Sequence, residues 1–194
     1  MFCDRQQYSV LIVSSSQKGT AYLQDVLSDA ACFSVTAVQS AGEARRQLIS
    51  CTYDIILVNT PLSDDNGEEL ALDAASHSSA GVILFVREME YDPVTDRVLQ
   101  SGVLTVSKPV HRQNVLQAAF LAAATRERMR SVENQNSSLR QKMDELRLVN
   151  RAKWLLIERE HMDEPQAHRY VEKLAMDLRI TKGEAAESVL RNYE

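Results

Sequence analysis

Arg151, Arg169 and Lys182 carry long cationic side chains, of a type that can neutralise phosphates or pair with carboxylates on a helix face. Trp154 lies among them. Its ring offers a face on which an unpaired base could stack, worth ~1–3 kcal/mol; beside Leu155 and Leu156, however, it reads as a core anchor, and Tyr170 reads as core as well. His161 and His168 are seven residues apart with Asp163 and Glu164 between them, but a helix start separates their faces, so no metal is expected. Cys3, Cys32 and Cys51 are odd in number, scattered and without a CxxC pair, which predicts buried, reduced thiols and no disulfide framework. No triad, phosphate-cradling glycine loop or metal cluster is present, so neither an enzyme nor a cofactor is expected.

These cations need helices to position them. Asp163 precedes Gln166, and Thr181 precedes Glu184, each at the spacing of a capping box, in which two side chains satisfy each other's backbone amides. Around these two starts the small and apolar residues recur at helical spacing: Ala152, Leu155 and Leu156; then Ala167, Tyr170, Val171, Leu174 and Met176; then Ala185, Ala186 and Val189. Three short helices follow, a bundle too small for an enzyme core.

At these residues the segment resembles an ANTAR domain, the RNA-binding module of the AmiR/NasR type of bacterial antitermination regulators. Ala152-Lys153 stands where the family has Ala-Lys before a glycine and an aliphatic pair, Ala167 opens a helix running to Ala175-Met176 and Arg179, and Ala185-Ala186 follows the final cap. Trp154 departs from the pattern, which usually has glycine there. The resemblance implies stem-loop RNA in a leader transcript as partner, with Lys153, Arg179, Ala175 and Met176 in the recognition surface and Arg151, Arg169 and Lys182 on phosphates. Ala175 and Met176 read equally as core, and the arginines equally as solvated charges paired with Glu158, Glu172 or Asp177.

The balance of charge qualifies this. The chain has 194 residues, 22 Lys/Arg and 27 Asp/Glu. Residues 1–112 hold a net −6, residues 113–146 a net +1, and residues 147–194 none. A neutral module can bind RNA only if its charge is sorted onto one face. No apolar run approaches the roughly 18 residues that span a bilayer, and no charged N-terminal region leads into an apolar stretch; a cytoplasmic protein with no membrane partner is expected.

From Tyr8 to about Val110, five short apolar runs (9–13, 33–38, 54–58, 81–86 and 103–106) alternate with amphipathic stretches at 17–28, 41–50, 66–76 and 93–101. Strands buried on both faces have this character, and the βα order predicts an α/β fold, a flavodoxin-like doubly wound parallel five-stranded sheet. With Lys108-Pro109 after the fifth run and Gly67 beyond the third, the segment resembles the receiver domain of two-component response regulators. On that alignment the phosphorylation site is degenerate. The acidic pair falls on Ser14 and Ser15, the phosphoacceptor aspartate on Asn59 and the hydroxyl residue on Val86, and only Lys108 matches. A neutral amide is no phosphoacceptor, and serines are poor ligands for Mg²⁺, so the domain is expected not to accept phosphate. Asp64 and Asp65 fall in a loop and read as turn residues. Lys108 either meets an anionic ligand or caps a nearby carbonyl, and a regulatory protein or small ligand is the expected source of control.

After Pro109 no Gly or Pro occurs until Pro165, which predicts one long helix. A heptad places Ala122, Met129, Asn136, Met143 and Asn150 at a, and Thr125, Val132, Leu139 and Leu146 at d; asparagine at a favours a parallel two-stranded coil. Dimerisation is expected through Met129, Val132, Asn136, Leu139, Met143 and Leu146. The organisation expected is a receiver-like domain (1–111), a coiled-coil connector (112–146) and an RNA-binding bundle (147–194), together a dimeric transcription antitermination regulator. The alternatives are a DNA-binding response regulator, disfavoured by Glu184 and Glu187 in the final helix, and a dimeric protein-interaction scaffold.

Overall fold

A computed structural model describes residues 7–193; Cys3 lies outside them. Five strands, β1 (Tyr8–Ser14), β2 (Phe33–Val38), β3 (Ile55–Asn59), β4 (Gly81–Arg87) and β5 (Leu104–Lys108), form one parallel sheet in the order β2-β1-β3-β4-β5. Successive side chains on a strand point to opposite faces, so a continuous apolar run supplies two cores. Leu11, Val13, Ile56, Val58 and Leu84 pack on one side, beneath α2 (Ala41–Ser50), α3 (Glu68–His77) and α4 (Tyr91–Val98). Val10, Ile12, Leu57, Ile83 and Phe85 pack on the other, against α1 (Gln17–Ser28) and the opening turns of α5 (Arg112–Glu160). The fold class expected from the alternating runs is the one observed.

Local chemistry sets the ends of the elements. Ser16 caps α1 through the Gly19 amide, and Ser40 caps α2 through that of Glu43, each at 3.2 Å. α3 starts at Glu68 rather than at 66 because Asp65 and Asn66 accept the amides of Gly67 and Glu68 and build a turn. Gly67 is required there: its φ is +91°, and a Cβ would lie 2.7 Å from Thr60 Cγ2. The helix expected at 93–101 instead begins at Tyr91 and tightens to a 3₁₀ turn over Leu99–Ser101, which Gly102 ends at φ +78°. Cys32 is buried, as expected for a reduced thiol, whereas Cys51 is exposed because it is the residue that terminates α2 at the surface.

The chain divides into two compact units, one running to Ser131 and one from Val132. α5 is helical throughout, including the polar run Glu133-Asn134-Gln135-Asn136-Ser137-Ser138. In the second unit its last turns pack with α6 (Glu164–Leu178) and α7 (Lys182–Tyr193) around Val149, Ala152, Leu156, Ala167, Val171, Ala185 and Val189. Both capping boxes form. Asp163 accepts from Gln166 N at 2.7 Å and Gln166 accepts from Asp163 N at 3.0 Å; Thr181 and Glu184 exchange the same pair at 3.2 and 2.8 Å. No helix of the described residues is long and apolar enough to cross a membrane.

Candidate functional site

The C-terminal ends of β1, β3 and β5 bring the expected receiver residues together. Ser14 and Asn59 are cross-strand neighbours, and Asn59 Nδ2 donates to Ser14 Oγ at 2.9 Å. Ser15 Oγ donates to the Gln39 carbonyl at 2.9 Å and accepts from Ser63 N at 2.7 Å. Lys108 Nζ donates to the Thr60 carbonyl, so of its two sequence readings the structure shows the carbonyl contact. Burial, and then the nearby Arg87, hold the Lys108 ammonium below the usual lysine range, with Glu90 opposing. Val86 is buried. The first turn of α1 lies close over Asn59: a Cβ on Gly19 would be 2.6 Å from Asn59 Nδ2. A cavity of about 650 Å³ opens beside Asn59, Lys108 and Tyr22.

Neither nearby aspartate turns toward this pocket. Asp64 accepts the amides of Ala41 and Gly42 at 2.9 Å each, and these bonds, Gly42's the larger, hold its carboxyl below the usual range. Asp65 pairs with Arg45 at 3.0 Å and accepts from Gly67 N. At the positions where the receiver resemblance requires oxygen ligands for Mg²⁺, the chain offers two hydroxyls and an amide already bonded to one another or to the backbone. Such a donor set does not fit that ion, which leans on carboxylate charge.

In the second unit two lysines tie helices together. Lys153 Nζ bonds Glu164 Oε1 at 2.7 Å, joining α5 to the start of α6, and Lys182 Nζ bonds Glu172 Oε1 at 2.6 Å, joining α7 to α6. Each lysine's hydrogen bond is the main cause that holds its glutamate below the usual range. Arg169 and Arg179 have no ion-pair partner among the described residues. They share that state with Lys173, which lies one helical turn beyond Arg169. Met176, a further turn along α6, is 77% exposed, while its neighbour Ala175 is buried in the core. Arg169, Lys173 and Met176 therefore form an outer stripe of α6, opposite Ala167, Val171 and Ala175. Arg151 is exposed on α5. His168 contacts Glu172 at 3.3 Å; His161 lies in the connection before α6, at φ +53°.

Residues 137–190, which span the second half of α5, α6 and most of α7, match the ANTAR domain. The transcriptional regulatory protein PdtaR of Mycobacterium tuberculosis is 27% identical over 138 residues, which cover 71% of this chain and 67% of that protein. The chain carries an ANTAR domain. Its first unit has the receiver fold. The signal receiver domain of an HD domain-containing protein from Pseudomonas fluorescens Pf-5 superposes with a TM-score of 0.59 at 20% identity, covering 68% of this chain and 97% of that one. That of a putative Luxo repressor protein from Vibrio parahaemolyticus superposes at 0.60 and 18% identity, covering 66% and 98%.

Three features of the structure differ from what the sequence suggests. Trp154 is 74% exposed and Tyr170 44% exposed, so neither is the core anchor expected. Ala152 and Leu156 take the bundle-facing positions, and Trp154, two residues from each, points the other way. Lys173 was not among the candidates; its signal was the four-residue step from Arg169, on a face that the core pattern leaves free. On α5, Ala122 is buried against the sheet, so the exposed heptad stripe begins at Met129 and continues through Val132, Leu139, Met143 and Leu146.

Proposed function

We propose that this regulator binds stem-loop RNA in leader transcripts as a parallel dimer and controls transcription antitermination, with a receiver-fold domain that does not accept phosphate. The observation that carries the RNA reading is the sorting of charge in a neutral bundle. Lys153 and Lys182 are tied to Glu164 and Glu172, while Arg169, Lys173 and Arg179 are left to solvent on α6 and its C-cap. Cations without partners release counterions when they meet phosphates, and Met176 among them gives an apolar contact for an unstacked loop base. The domains then divide as a receiver-like part (1–111) completed by the opening turns of α5, a coil along the rest of residues 112–146, and the RNA-binding bundle (147–194), working in the cytoplasm.

The exposed apolar stripe of α5, with Asn136 among Val132, Leu139 and Met143, supports the dimer: asparagine at a is a register-fixing residue of two-stranded coils. The internally bonded Asn59, Ser14, Ser15 and Lys108 support the closed phosphoryl route. Control then falls to a regulatory protein or small ligand acting on the receiver-fold domain.

Binding of the full chain to a two-stem-loop RNA and to duplex DNA, each across a salt series, tests the function. The RNA should bind with an affinity that falls steeply with salt, and the duplex should not compete. Preference for the duplex would make this a DNA-binding regulator, and failure to bind either at low salt would make it a scaffold.

A further inference from the structure

Trp154 is the sole tryptophan of the chain and one of its most exposed large side chains. Two residues turn an α-helix by about 200°, so with Ala152 and Leu156 buried in the bundle, Trp154 leaves α5 on the opposite side. That side also carries the stripe of Val132, Leu139, Met143 and Leu146, which are 45, 58, 54 and 61% exposed. Met143 precedes Trp154 by eleven residues, close to three full turns, so the two side chains leave the helix along nearly the same line, with the exposed, uncharged Asn150 one turn before the ring.

We infer that Trp154 closes the C-terminal end of the dimer seam, its ring covered by a second copy of this chain; the inference rests on the dimer reading above. Around a parallel two-fold axis the a and d residues of the stripe each meet their own counterparts, so these apolar, uncharged positions are complementary to themselves; Trp154 follows Asn150 at the flanking e position, which Arg140 and Arg147 hold in the two heptads before it, and covers the edge of that contact. Two indoles together cover roughly 300–500 Å², about a quarter of the ~1,600 Å² of a standard interface. The surroundings of the ring do not favour a phosphate polymer. Its neighbours one turn away are Asn150, Arg151, Ile157 and Glu158, neutral in sum, whereas Arg169, Lys173 and Arg179 lie on α6 and its C-cap.

Because the tryptophan is unique, its emission reports this one place. Dilution of the full chain through its dimer-to-monomer transition, with sedimentation run in parallel, should move the emission to longer wavelength as the copies separate. Trp154→Ala should weaken the dimer about tenfold or more while the helical signal and thermal transition of the bundle persist. Leu139→Asp, distant from the ring, should abolish the dimer and the emission change together. If the chain dimerises but its emission ignores dilution and is quenched only by a two-stem-loop RNA, the ring is a base-stacking platform; the seam assignment then fails and the dimer stands. A chain that stays monomeric at micromolar concentration overturns both.

Discussion

The polar groups at the top of the receiver-fold sheet and those on the outside of α6 are used in opposite ways. At Asn59, Ser14, Ser15 and Lys108 each side chain is spent on a neighbouring side chain or backbone group, so little is left to engage a solute. At Arg169, Lys173 and Arg179 the donors are unspent, while Lys153 and Lys182 hold the helices together. A charged residue can brace the fold or be left for a partner, and the ion pairs of Lys153 and Lys182 identify the bracing kind.

The most disruptive way to test this contrast is to remove what supports the outer face. Leu156→Ala should cost ~2–5 kcal/mol of stability in the bundle, seen as a lower thermal transition, and RNA binding should go with it. Arg169→Ala with Lys173→Ala should leave the melting temperature in place and reduce the slope of log affinity against log salt by roughly 1–2. Lys153→Ala should do the reverse, loosening the bundle with little change of slope; an equal loss of slope would erase the distinction between braced and unspent cations. Acid sharpens the contrast next. Glu164, Glu172 and Glu184 sit below the ordinary glutamate value of 4.5 in the folded chain, so the stability they give is complete above 4.5 and is lost as pH falls through their lower folded values. The bundle's transition should stay flat toward 4.5 and decline on its acid side. The smallest effect belongs to the receiver pocket: Asn59→Asp should still take up no phosphate from a small phosphodonor, because Ser14 and Ser15 hold no cation for it. Uptake by that variant would show the pocket to be one substitution from competence.

Much of the fold was legible because its signals are local. The five apolar runs became the five strands, and Asp163-Gln166 and Thr181-Glu184 marked their helix starts. The site was legible less evenly. Trp154 was misread because its neighbours Leu155 and Leu156 suggest a core, whereas the angular step from Ala152 decides its direction. Cys51 was misread because a cysteine's usual burial says nothing of a helix end. Which lysine braces and which is unspent depends on Glu164 and Glu172 arriving from another helix, a tertiary coincidence with no periodic trace in the sequence.

Arg179 ends α6 in the left-handed region, at φ +54°, with its amide bonded back to the α6 carbonyls. Glycine would occupy that position without the ~1–2 kcal/mol that a side chain costs there. Arg179→Gly should therefore give a hardier protein and, if α6 and its C-cap form the proposed RNA surface, a weaker binder at once, which would make this corner a trade-off between robustness and affinity held at a single residue.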